Sequence, residues 1–136
     1  MGNANIVVCV RVAMKYQIND PELMDIAILP PSATGIPYPL WVGPITDTNG
    51  NTEVCVRVSN TPGRFDVDSH YVVLINPIRI ITPQWVNMSD SDTYNVIKTI
   101  ELNLQVIESF WLIYITGEGS VIPIYESIKK VTYETW

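Results

Sequence analysis

The chain has 136 residues and a formal net charge of −6, with 47% hydrophobic and only 16% charged residues. That length suits one domain burying roughly two thirds of its unfolded surface. The charged share lies well below the roughly 25% of an average domain, so Asn, Thr, Ser, Tyr and apolar side chains must cover much of the outside, a surface suited to partner contact. The 8 Lys and Arg are scattered apart from the pair Lys129-Lys130, which excludes a nucleic-acid interface built on clustered cations.

The start of the chain carries Arg11 and Lys15 inside and after its apolar run, and no cleavage site follows, so no signal peptide is expected. Gly2 is not followed by the Ser or Thr that myristoylation needs, because Ile6 stands there. Residues 102–115 form the most apolar stretch, yet Asn103, Gln105, Glu108 and Ser109 interrupt it, and it is too short to span a bilayer. No membrane insertion is expected, and the compartment stays open. Cys9 and Cys55 would remain thiols in a reducing compartment or form one bridge in an oxidising one.

Taken in chain order, strand signals dominate. Val, Ile, Thr and Tyr are abundant, and Pro and Gly punctuate every few residues. Residues 5–14 and 52–59 alternate apolar and polar, and residues 71–76, 79–81, 96–106 and 110–116 read as further strands. The one helix candidate is residues 20–25, with Asp20 as N-cap and Pro21 at the first helical position. Gly117-Glu118-Gly119 reads as a hairpin tip.

The chain also repeats itself. VCVRVA at residues 8–13 returns as VCVRVS at residues 54–59, and Pro30-Pro31 corresponds to Asn76-Pro77 at the same offset. Pro39-Leu40-Trp41-Val42 returns as Pro83-Gln84-Trp85-Val86, each followed by a polar turn, residues 46–51 and 89–93. A fainter third copy sets Trp111 to Ile115 and Pro123-Ile124-Tyr125 against Tyr71 to Ile75 and Pro83-Gln84-Trp85. Units over residues 5–49, 50–93 and 94–136 then fill one domain, and such units must share a core because none buries its apolar face alone.

Three such units imply an all-β, β-trefoil-like domain. In detail they resemble the ricin-type lectin repeat, which has an early C-x-D-x strand and closes on Q-x-W roughly thirty residues later. Cys9 to Trp41 and Cys55 to Trp85 have about that spacing. The family's sugar-binding Asp aligns with Arg11 and Arg57, and the Gln of Q-x-W is Pro39, Pro83 and Pro123 here, so the family's sugar site is not carried over. The alternative fold is a β-sandwich or jelly roll of duplicated hairpins.

Material for chemistry is thin. Asp66, Asp68 and His70 would share one face of an extended chain and could offer two carboxylates and an imidazole to a cation, though a polar hairpin loop explains them as well. Asp47, Asn49 and Asn51 resemble alternating calcium ligands, but the glycine falls fourth instead of sixth and Asn49-Gly50 suits a tight turn. Ser69 and His70, being adjacent, point to opposite faces of a strand, and no triad completes them. Asn87-Met88-Ser89 is a sequon that matters only after secretion. Trp41 and Trp85 are expected in the core. In VCVRV the valines share one face, and Arg11 and Arg57 are expected to point outward or toward a neighbour.

No metal and no cofactor are expected. The chain reads as a non-enzymatic binding module for a protein or carbohydrate partner, with a self-assembling, homo-oligomeric virion or surface component as the alternative. An enzyme would have to rest on the Asp66, Asp68 and His70 group. The contact residues expected on the two loops are Asp47, Asn49, Asn51, Asp90, Asp92 and Tyr94, since loops on a rigid scaffold commonly carry recognition.

Overall fold

The structure, a computed structural model, describes residues 27–64, 66, 69–81 and 89–135. Its elements in chain order are β1 (Ala27–Leu29), α1 (Pro31–Thr34), β2 (Leu40–Thr46), β3 (Thr52–Ser59), β4 (His70–Ile75), β5 (Ile78–Ile81), α2 (Asp90–Leu102), α3 (Leu104–Thr116) and α4 (Ile122–Glu126). The strands form one antiparallel sheet in sequential order, β1-β2-β3-β4-β5.

The expected alternation holds in β3. Val54, Val56 and Val58 point to one face of the sheet and join Leu40, Tyr71 and Val73 in the main core. Against that face lie Val96, Ile97 and Ile100 of α2 and Val106, Ile107 and Phe110 of α3. Each such side chain taken fully out of water contributes roughly 1.5–3 kcal/mol. On the opposite face Cys55, Val72, Leu74, Ile45 and Ile81 form a second, smaller cluster. Every residue of β4 is buried, and after His70 it reads as an apolar run, Tyr71 to Ile75, with no alternation. Pro44 stands in β2 opposite Val54 of β3.

The all-β, trefoil-like expectation is overturned, and so is the sandwich or jelly-roll alternative: the fold is a five-stranded sheet with helices, mixed α and β. The reason lies in residues 90–116, expected as strands over 96–106 and 110–116 but folded as α2 and α3. Ser89 caps α2 by accepting the Asp92 amide at 3.1 Å, and Asp90 and Asp92 place negative charge in the first turn, where the helix dipole favours it. The buried positions 96, 97, 100, 107 and 110 then recur at helical spacing. The β-branched residues here cost a few tenths of a kcal/mol each in helix propensity, far less than burying their stripe gains.

The repeat correspondences fare accordingly. Tyr71 to Ile75 is strand while Trp111 to Ile115 is helix, so the third copy over residues 94–136 has no structural counterpart in the second. Pro30 and Pro31 open α1, whereas Asn76-Pro77 is a cis-peptide turn between β4 and β5. The first VCVRV strand, the helix expected at residues 20–25, Cys9, Arg11 and Trp85 lie outside the described residues.

The chain's end is tied to the rest by two asparagines. Asn103, between α2 and α3, donates from Nδ2 to the Lys129 carbonyl at 3.0 Å and accepts the Lys129 amide on Oδ1 at 2.7 Å. Asn95, two helical turns earlier, does the same for Glu134: its Nδ2 donates to the carbonyl and its Oδ1 accepts the amide at 2.9 Å. Residues 129–134 therefore run extended along α2 like a strand paired to side-chain amides. The Val131 amide completes the tie by donating to the Thr34 carbonyl at 2.8 Å.

Candidate functional site

The first of the two expected contact loops is the β2–β3 hairpin, which closes at the Thr46–Thr52 pair. Asp47 organises it. Its Oδ1 accepts the amides of Asn49 at 2.8 Å and Asn51 at 3.0 Å, and its Oδ2 accepts Asn51 Nδ2 at 3.4 Å. Gly50 takes φ +85°, the left-handed conformation that Asn-Gly turns supply. Asp47 thus spends its carboxylate on the turn, while Asn49 and Asn51 remain exposed.

The second expected loop is the start of α2. Asp90 is exposed, and Tyr94 lies under the Lys98 ammonium at 5.5 Å from its ring centroid. Asp92 faces inward and accepts hydrogen bonds from Tyr133 Oη at 2.9 Å and Tyr38 Oη at 3.2 Å. These phenols are held protonated. The bond to Asp92 and then burial push Tyr133 up to about 12, burial and the Asp92 charge raise Tyr38, and burial raises Tyr71 behind them further still. A phenol that keeps its proton is a donor, so the cluster fastens the chain's end to α2.

One prediction follows from its titration. An unfolded tyrosine ionises near 10.0 while folded Tyr133 holds its proton to about 12, so stability is flat below about pH 10 and falls between about pH 10 and 12. In Tyr133→Phe that decline becomes shallower. Urea melts across pH 9 to 12 read it, and an unchanged slope in the variant contradicts the assignment.

Of the metal candidates, Asp66 and His70 are among the described residues. His70 opens β4, is 1% exposed and pairs across the sheet with Ser59. Asp66 accepts from Thr61 Oγ1 at 3.1 Å and lies 3.9 Å from Arg64 Nη2, and Asp68 is outside the described residues. Among the described residues no three His, Cys, Asp or Glu are placed to hold a metal ion. Ser59 Oγ is engaged with backbone, donating at 2.6 Å to the Arg64 carbonyl and accepting the Thr61 amide at 3.1 Å. Cys55 shares the face of His70, but Ser59 is the residue opposite His70, which leaves Cys55 about 13 Å along β3, beyond proton-transfer reach.

Arg57 does not point outward, and its side chain turns toward the neighbouring strand β2. It is 2% exposed, and its Nη2 donates to the Pro44 carbonyl at 3.4 Å. Trp41 sits across from it on the same face, half-buried and outside the main core, where a core position was expected.

What the sequence reading missed is the outer surface of α3 and α4. Gly117, at φ +69°, ends α3, and the chain turns back so that Tyr125 of α4 meets the Phe110 ring edge-on at 5.1 Å. Trp111 and Tyr114 stack at 5.2 Å. Only Val106, Ile107 and Phe110 of α3 are buried. Leu112, Tyr114, Ile115, Val121, Ile122 and Tyr125 remain in water, with Ile122 65% and Ile115 59% exposed. Glu108 is the one charge within α3. A helical period applied to residues 104–116 finds this surface, because more apolar residues stand there than one buried stripe can absorb.

No protein-family model matches the chain, and no curated protein or solved structure matches it. Among the described residues no helix is long and apolar enough to cross a membrane.

Proposed function

We propose that the chain is a non-enzymatic binding protein that meets a protein partner through the apolar surface of α3 and α4, in place of the two polar loops. The observation that supports this most is the concentration of exposed large apolar side chains between residues 112 and 125. Large apolar side chains left in water over so short a stretch, where the other large apolar groups among the described residues are mostly buried, suit an interaction surface. Tyr114, Trp111 and Tyr125 add the aromatic groups that commonly anchor protein interfaces. The loops supply less: Asp47 and Asp92 are committed to intramolecular hydrogen bonds.

A photoreactive phenylalanine placed at Ile115 or at Asn49, in the cells that make the protein, tests the choice. Covalent adducts of defined mass are expected from position 115 and not from position 49. Adducts from position 49 alone would return the contact site to the hairpin, and none from either would remove the reading.

A further inference from the structure

The groove beneath residues 129–134 holds a main chain more than it holds side chains. Asn103 meets both the amide and the carbonyl of Lys129, and Asn95 meets both polar groups of Glu134, as a neighbouring strand would. The Val131 amide donates to the Thr34 carbonyl at 2.8 Å, and the Val131 carbonyl passes so close over Gly35 that a Cβ there would overlap it. We infer that this groove, between α1 and α2, is a binding site for an extended segment of another protein chain, and that the chain's own end is its displaceable occupant. The groove is separate from the outer surface of α3 and α4, and its role stands whether or not that surface meets a partner.

Light anchoring makes the occupant displaceable. Across residues 117–135 Val131 alone is buried, and α4 buries none of its side chains. The other ties of residues 129–134 are hydrogen bonds and one surface ion pair, whose net contributions are small because water replaces them on both sides. A segment with so few buried apolar contacts is of the kind that opens locally, ahead of global unfolding.

The occupant also defines the chemistry of a partner. The Val131 side chain joins the main core. Two residues on, a phenol donates to Asp92 at 2.9 Å, and the next residue sets a carboxylate 3.3 Å from the Lys98 ammonium. Lys130 and Thr132 are exposed, so the main chain alone matters at those places. The fitting partner is therefore an extended Val-x-Tyr-Glu segment. Competition from the resident end lowers its apparent affinity by the fraction of time that the groove stands open.

Hydrogen exchange on the wild-type chain tests the opening. The amides of Lys129, Val131 and Glu134 should exchange at least about tenfold faster than those of Val56 in β3 and Val73 in β4. One common rate would mean that the end leaves only in global unfolding, and overturns the inference. A dye-labelled peptide of residues 127–135 then probes the full chain carrying Val131→Asp, whose own end no longer seats. Fluorescence polarisation should show binding roughly 100-fold or more tighter than to the wild type. If Val131→Asp does not fold alone, the same peptide added during refolding should restore its circular dichroism spectrum. N-methylation of the peptide at the Lys129 and Glu134 amides should abolish the effect, while Lys130→Ala with Thr132→Ala in the peptide should leave it unchanged. Neither binding nor restoration, equal binding to the wild type, indifference to the N-methyl groups, or loss on the alanine changes would each overturn the site.

Discussion

Gly35→Ala is expected to lower the unfolding free energy by more than about 3 kcal/mol, placing it among the severe single substitutions. Two costs combine. Gly35 ends α1 at φ +90°, a conformation that L side chains rarely adopt. A Cβ there would also overlap the Val131 carbonyl oxygen and crowd Lys130 Cγ at 2.8 Å. The carbonyl cannot simply retreat, because the Val131 amide is bonded to Thr34 at 2.8 Å and Lys129 and Glu134 are held by Asn103 and Asn95. Relief of the clash therefore requires lifting residues 129–134 off α2. Denaturant melts measure this, and a loss below about 1 kcal/mol would show that this segment is not held where the hydrogen bonds place it.

Asn103→Ala is expected to cost about 3 kcal/mol, since it leaves the buried ends of a paired amide without partners. Asn103 is 1% exposed, and its side chain serves the Thr99 carbonyl at 2.9 Å as well as both polar groups of Lys129. Asn103→Asp keeps the acceptor but removes the donor and buries a charge, so it should be no better tolerated. Asn103→Gln adds a methylene that displaces the amide, and partial loss is expected. If Asn103→Ala proved neutral by the same melts, the side-chain ladder along α2 would have no energetic role.

The sheet was legible because its signals are local. The alternation in residues 52–59 corresponds residue for residue to β3, and the strands expected at 71–76 and 79–81 fall within a residue of β4 and β5. Asn49-Gly50 marked its turn through the positive φ that Gly50 adopts. The helices were misread because Val, Ile and Thr weigh toward strands, and residues 96–116 are full of them. Their helical spacing, together with the Ser89 cap and the two acids after it, was the competing signal and the stronger one. Ser89 to Thr93 looked like a turn for the same reason that it caps a helix: Ser and Asp bind backbone amides.

The candidate site was less legible. Asp47 and Asp92 were singled out as exposed acids on loops, yet each satisfies groups of its own chain, and only the fold reveals the partners Tyr38 and Tyr133 of Asp92, 54 and 41 residues away. The surface on α3 and α4 stayed hidden because an apolar run read as a strand leaves no face outward. Read as a helix, the same run must leave one. The low charged fraction pointed to a partner surface without locating it.

The central claim, that residues 104–116 and 122–126 are helical and leave apolar side chains in water, is tested most directly by a single-cysteine labelling scan of positions 106–116 and 122. The series would be made in a Cys9→Ser, Cys55→Ala background and labelled at a dilution where any oligomer dissociates. Rapid labelling is expected at 112, 115 and 122 and slow labelling at 107 and 110, with a period near 3.6 residues. Alternation with a period of two, or slow labelling throughout 112, 115 and 122, would contradict the account.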